Sequence, residues 1–203
     1  VGAGTYTIKA EVAGTTNYSG VELTAEFSIA RASVTISGVE ESYTKSYDGN
    51  AFVIPNAIAS NGATVTKVIT KGGEVVDAII GVGEYVITYS VAESANYTAA
   101  QREITVTVTK ANVTISAPQI EGWTYSEAAK TPSASFGEAF AQGSNGEIIF
   151  KYYTDAECTN EIINLDGIDA GTYYVKAVFA GNDNLNAVES AVTSFVITKK
   201  TIT

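Results

Sequence analysis

The stretch Gly81-Val-Gly-Glu-Tyr-Val-Ile-Thr-Tyr-Ser-Val91 decides the fold. Tyr85, Ile87, Tyr89 and Val91 fall on one face of an extended chain, and Val86, Thr88 and Ser90 fall on the other. A period of two marks a strand with one buried face. The same pattern occurs twice more, in GAGTYTIKAEV from Gly2 and in DAGTYYVKAVF from Asp169. In the third copy Tyr173, Val175, Ala177 and Phe179 share a face, with Tyr174 and Lys176 on the other. Each copy carries Gly-x-Tyr, at Gly4 and Tyr6, Gly83 and Tyr85, and Gly171 and Tyr173. Asn17, Asn96 and Asn184 each follow their tyrosine by eleven residues.

Working outward, a second strand follows each copy, at Leu23 to Ile29, Ile104 to Val108 and Phe195 to Ile197. A new unit then opens almost at once. Ala32-Ser-Val-Thr-Ile-Ser37 matches Ala111-Asn-Val-Thr-Ile-Ser116, and Lys200-Thr-Ile-Thr203 looks like the same opening strand. Residues 1–31 are therefore expected to be the back half of one repeat, 32–110 and 111–199 two whole repeats, and 200–203 the start of another. The tyrosines are 79 and then 88 residues apart. Repeats of this kind are read before anything else. The front halves agree less well. Ser46-Tyr-Asp-Gly-Asn50 with Pro55 has a looser counterpart in Thr124-Tyr-Ser-Glu-Ala128 with Pro132, and the second repeat has a longer middle around Gly143 to Gly146 and Tyr153 to Glu157.

Each whole repeat shows six or seven strand-like runs between Gly, Asn, Asp and Ser clusters, the spacing of a sandwich or barrel. The abundance of Thr, Val and Tyr agrees. Helical periodicity is not sustained anywhere. Its nearest approach, Glu127 to Gln142, is interrupted by Pro132 and Gly137, leaving at most a single turn at 137–141. The fold class is all-β: tandem immunoglobulin-like sandwich repeats joined end to end. In such sandwiches a tyrosine near the start of strand F turns its hydroxyl back onto upstream backbone. Tyr6, Tyr85 and Tyr173 are assigned that corner. Immunoglobulins place a core cysteine two residues later, where this chain has Ile8, Ile87 and Val175. With Thr109-Lys-Ala111 as the whole connection between repeats, hinge motion is expected to be limited and a rod favoured.

These residues resemble bacterial immunoglobulin-like repeats of the MBG/YDG type. Tyr47-Asp48-Gly49, the three Gly-x-Tyr corners, Asn17-Tyr18, Asn96-Tyr97 and the Val-Thr-Ile junctions carry the likeness, which spans essentially the whole chain. Two departures stand out: the Tyr-Asp-Gly triplet is missing from the second whole repeat, and Leu185 follows Asn184. The resemblance implies tandem arrays in large secreted or wall-anchored proteins, a stalk or adhesive role and no catalytic residues. It implies a location outside the cell, at a bacterial surface or wall, with neighbouring repeats as partners and host glycans or glycoproteins as further candidates.

The chemistry of the side chains points the same way. The 203 residues include no histidine, the commonest general base and metal ligand. Serine and threonine thus lack their usual activator, and an enzyme is not expected. No cofactor is expected either; Gly81-Val-Gly83 lacks the third glycine and the helix of a nucleotide loop. The formal charge of −10 disfavours nucleic acid. No apolar stretch approaches the roughly 18 residues of a membrane span, so direct membrane insertion is not expected. The lone Cys158 excludes an intrachain disulfide and is read as a half-buried packing residue. Absence of methionine suggests a fragment of a longer chain. Asn182-Asp-Asn184 with Asp166 and Asp169 offers oxygens to a calcium ion, but at irregular spacing that also suits turns. Lys9 and Lys176 point outward by alternation, against an isopeptide crosslink. The competing function is carbohydrate binding, with Trp123, Tyr125, Tyr152, Tyr153 and Tyr174 as exposed platforms. Against it stands a core role, in which Trp123 and Tyr125 plug the end of a sandwich.

Overall fold

The computed structural model describes residues 1–137 and 146–202. The expected turn at 137–141, the loop at 143–146 and Thr203 lie wholly or partly outside them. In chain order the strands are β1 (Gly4–Val12), β2 (Val21–Ile29), β3 (Ile36–Ser37), β4 (Ser42–Ser46), β5 (Ile58–Ala59), β6 (Thr66–Lys71), β7 (Glu74–Val75) and β8 (Gly83–Val91). Then follow β9 (Ala100–Thr109), β10 (Trp123–Thr124), β11 (Ile149–Tyr153), β12 (Glu161–Ile162), β13 (Gly171–Phe179), β14 (Val188–Glu189) and β15 (Thr193–Thr198). The described residues are all-β, with their sheets in a sandwich-like arrangement. Among the described residues, no helix is long and apolar enough to cross a membrane.

The sheets are the hairpin β1-β2, the pair β3-β5, a five-stranded sheet ordered β4-β9-β8-β6-β7, and a six-stranded sheet ordered β10-β15-β13-β11-β12 with β14 on β13. By backbone contacts the chain divides into two compact units. One holds Val1–Tyr43, Val53–Asp77 and Glu84–Val106; the other holds Thr44–Phe52, Ala78–Gly83 and Thr107–Thr203.

In the first unit the apolar face of β8 is buried as its alternation requires, with Ile87 fully inaccessible. Ile104 and Val106 of β9 and Val34 and Ile36 add to this core. The Arg102 guanidinium donates to the carbonyls of Ile36 (3.1 Å) and Val39 (2.8 Å), and the Tyr89 hydroxyl donates to Pro55 O at 2.8 Å. These part-buried carbonyls thus find side-chain donors.

The same unit contains the hairpin β1-β2, whose register pairs Tyr6 with Phe27, Ile8 with Ala25, Ala10 with Leu23 and Val12 with Val21. Its apolar face is continuous, yet Ile8 is 58% and Leu23 68% exposed. The equivalent positions of β8 and β13 are buried. Identical patterning therefore gives opposite burial, because burial requires a facing sheet as well as a pattern.

In the second unit β13 runs between β11 and β15, pairing Tyr173 with Phe195 and Tyr152 with Val175. Trp123, Leu165, Tyr173, Val175, Phe195 and Ile197 form one buried cluster. The Tyr47-Asp48-Gly49 triplet also lies here, and each member has a separate task. Tyr47 is buried, the Asp48 carboxylate accepts from Asn50 N and Lys45 Nζ (both 2.8 Å), and Gly49 takes φ 77°, which suits glycine. Hydrogen bonds from Lys45 first, then from the Asn50 amide, hold the Asp48 carboxyl below its ordinary range.

The two opening strands are more broken than their sequence suggests. Ala32 and Ala111 form only single parallel bridges, to Tyr97 and Leu185. Of residues 32–37 just Ile36–Ser37 joins a ladder. Val34, Ile36, Val113 and Ile115 are nevertheless buried, so extended chain and inward packing survive without continuous pairing.

The contrast between β8 and β1 can be measured. Ile87→Ala is expected to lower stability by about 2–5 kcal/mol, as for other buried large-to-small changes. Ile8→Ala, at the same position of the repeat, should change it by less than about 0.5 kcal/mol, as at an exposed site. Urea denaturation followed by tyrosine fluorescence reads both.

Candidate functional site

The feature that recurs in space as well as in sequence is the turn at the start of β1, β8 and β13. Gly4 and Gly83 adopt φ 151° and 145°, which L side chains rarely take. This bend sends the tyrosine back along the chain. The Tyr6 hydroxyl donates to Gly2 O at 2.8 Å and the Tyr173 hydroxyl to Asp169 O at 3.0 Å. Tyr85 is buried, with Lys71 Nζ 5.0 Å from the centroid of its ring. Burial, with the Asp169 charge adding, pushes the Tyr173 phenol up, so the hydroxyl stays a donor.

The corner leaves one amide turned outward, three residues before the tyrosine, and the repeated asparagine meets it. In the first unit Asn96 Oδ1 accepts from Ala3 N at 2.8 Å. In the second unit Asn184 Oδ1 accepts from Val82 N at 3.0 Å. The backbone beside each asparagine grips the segment at Ala32 or Ala111. Ala32 N donates to Asn96 O (2.9 Å) and Thr98 N to Ala32 O (3.0 Å). Likewise Ala111 N donates to Asn184 O (3.0 Å) and Asn186 N to Ala111 O (2.9 Å). A cation preceding the connection completes each set: Arg31 reaches Glu93 at 2.7 Å, and Lys110 Nζ donates to Asn182 O at 2.6 Å.

The asparagine loop has one shape throughout. Ser94 N donates to Tyr97 O (3.0 Å), Asn182 N to Leu185 O (3.1 Å) and Thr15 N to Tyr18 O (2.8 Å). Gly2 leaves room for the clamp: a Cβ there would lie 2.5 Å from Asn96 Oδ1. The constant eleven-residue spacing was the only sequence trace of this contact. Spacing alone gives no indication that the partner lies 93 or 102 residues away.

The five aromatic residues weighed for carbohydrate binding are not brought together. Trp123 is 6% exposed and stacks on Phe195 at 5.2 Å between centroids, inside the core cluster. Close packing at its neighbour Gly122 supports this, since a Cβ there would meet Val196 O at 2.3 Å. Tyr152 packs edge-on to Phe195. Tyr153 and Tyr174 pair across β11 and β13 on the opposite face. Tyr153 is buried, and its phenol is pushed up mainly by that burial. Tyr125, 39% exposed, lines a different place: an open cleft of about 730 Å³ with Asp169, Ala170, Lys199, Lys200 and Ile202.

Of the residues considered for calcium, Asn182 holds its own loop through its side chain, and Asp166 is held through its backbone amide. Asn182 Oδ1 accepts from Asn184 N (2.9 Å) and Leu185 N (2.8 Å), and Asn164 Oδ1 accepts from Asp166 N at 2.9 Å. Among the described residues no group of three or more metal-ligating side chains gathers. Asp155 organises its own loop, accepting from Thr159 N (3.0 Å) and Asn160 N (2.8 Å). These bonds, Thr159 first, hold its carboxyl below the ordinary range. Cys158, half-buried, sits in that loop at φ 59°. Lys176 pairs with Glu189 at 3.1 Å.

No family model matches the sequence, and no curated protein matches it. Among solved structures it is similar to an I-band fragment of titin, at TM-score 0.36 and 12% identity, over 98% of this chain and 75% of that one. It is similar to Drosophila N-cadherin at TM-score 0.35 and 12% identity, over 99% of this chain and 59% of that one. Human protocadherin-24 aligns at TM-score 0.33 and 13% identity, over 84% of this chain and 99% of that one.

The corner hydrogen bond has a measurable worth. Tyr173→Phe keeps the ring against Phe195 and removes only the donor, so it is expected to cost about 1 kcal/mol. A thermal melt of the variant, with unchanged far-ultraviolet circular dichroism, checks this.

Proposed function

We propose that this chain is a run of structural spacer repeats from a bacterial cell-surface or secreted protein, part of an adhesin, and that it is not an enzyme. Its repeats run 1–31 (a back half), 32–110, 111–199 and 200–203 (an opening strand). The observation that carries this reading is the recurrent junction. Twice, an asparagine loop braces the connection to the preceding repeat through a carboxamide, two backbone hydrogen bonds and a cation. A neutral hydrogen bond contributes about 0.5–1.5 kcal/mol net. Three in parallel across so short a connection oppose bending more than isolated contacts would. A protein that only transmits position or force needs such junctions and no pocket.

The side-chain chemistry agrees. Trp123 and Tyr152 stabilise a core, the carboxamides of Asn182 and Asn184 hold turns and junctions, and the sequence has no histidine for acid–base work. The likeness to MBG/YDG repeats in Tyr47-Asp48-Gly49 supports a surface array, because that triplet builds a turn and presents no reactive group. Neighbouring repeats are then the chain's main partners.

The test is a binding screen of the whole chain, immobilised, against mucins, matrix proteins and a glycan panel. The spacer reading predicts no saturable ligand. A saturable ligand lost in Tyr125→Ala, whose ring lines the open cleft, would replace it with an adhesion module.

A further inference from the structure

In both large sheets the first strand in chain order lies beside the last, β4 beside β9 and β10 beside β15. Tyr47 N donates to Thr109 O at 2.9 Å and Tyr125 N to Thr198 O at 2.8 Å, so the two tyrosines hold equivalent places. Six residues before Tyr47, Glu41 O accepts from Thr105 N at 3.1 Å. Residues 41 to 47 therefore run parallel to 105 to 109, and β4 is five residues long.

The second pair is shorter. Six residues before Tyr125 stands Gln119, and it turns away from β15. Its amide donates to Ser133 O at 2.8 Å and its carbonyl accepts from Ser133 N at 2.9 Å. Ser194, the counterpart of Thr105, makes no hydrogen bond outside the β13-β15 ladder among the described residues. The parallel register with β15 holds just Trp123 and Thr124. Where the pairing is missing, a cleft of about 570 Å³ opens beside Ile120, Gly122, Ser194 and Val196.

Arg102 accounts for the difference. Its guanidinium holds the carbonyls of Ile36 and Val39, on either side of Gly38 at φ 85°. With that turn fixed, the chain has crossed to β9 by Glu41. Arg102 lies three residues before Thr105; three residues before Ser194 stands Ala191, whose side chain has no donor. The chain there stays with Ser133 and crosses late.

We propose that β4-β9 is a shear clamp set by Arg102, that β10-β15 is a weaker one, and that tension along the chain opens the six-stranded sheet first. Tension enters at the amino end of the first strand of each pair and leaves at the carboxyl end of the last. Since the two strands are parallel, these pulls oppose each other along the strands and load the ladder bonds together. A longer ladder divides the same load among more bonds. Forced unfolding follows the unfolding barrier rather than the equilibrium stability, so the well-packed Trp123 core does not reverse the order. The source of the tension rests on the spacer reading; the two clamps do not. Such a chain lengthens at one sheet while the other stays folded.

The test pulls the full chain from both ends at constant speed. The two sheets are told apart by the length each releases, greater for Trp123–Thr198 than for Ser42–Thr109. The longer release is expected first, at roughly half the force of the shorter, because forced unfolding tracks the loaded barrier. Arg102→Ala should lower the force of the shorter release and leave the longer one unchanged. Tyr125→Pro removes the amide donated to Thr198 from a partly exposed residue, and should lower the longer release alone. Unchanged far-ultraviolet circular dichroism shows that each variant is folded. If Arg102→Ala does not fold, the native order and Tyr125→Pro still decide. The proposal is overturned if the shorter segment is released first, if both open at one force, or if a folded variant lowers neither release. A failed spacer reading shows instead as a saturable ligand in the screen and leaves the order of release as it is.

Discussion

A tyrosine hydroxyl bonded to a carbonyl four residues earlier, across a glycine bend, sets the geometry on which the other contacts rest. It fixes where the long strand starts and therefore which side chains face inward. With Tyr173 placed, Val175 and Ala177 follow into the core by alternation. The same bend exposes the amide three residues before the tyrosine, the donor that a distant asparagine takes up. The start of the strand and the long-range contact thus share one turn. Only glycine suits the bends at Gly4 and Gly83, and the missing Cβ of Gly2 makes room for the asparagine.

β1 and β8 carry nearly the same alternation, yet Ile87 is inaccessible and Ile8 is mostly exposed. The hairpin β1-β2 relies on its ladder and on the stacked rings of Tyr6 and Phe27 at 5.5 Å. Isolated two-stranded hairpins are marginal in water. The clamp from Asn96 to Ala3 and the ion pair from Arg31 to Glu93 supplement that ladder from within the same unit.

The strands that run long were legible in the sequence. β8, β9, β13 and β15 sit where alternation placed them, because a period of two sustained over several residues admits few other structures. The corners at Tyr6 and Tyr173 were legible because glycine and tyrosine at fixed spacing leave a local signature. Short elements were not. β10 has two residues, too few for periodicity, so burial of Trp123 could be weighed but not read. The opening strands were over-read, since Val-Thr-Ile spells a strand whether or not a neighbour pairs with it. The asparagine clamp was visible only as a constant interval. Its partner depends on how whole repeats meet, which no local window contains.

The account turns on whether the asparagine carboxamide holds the preceding corner. Amide hydrogen exchange at Val82, compared between the native chain and Asn184→Ala, asks this directly. Clamping predicts that Val82 is protected in the native chain and loses most of that protection in the variant, while Ala3, held by Asn96, is unchanged. Equal exchange at Val82 in the two proteins would contradict the clamp.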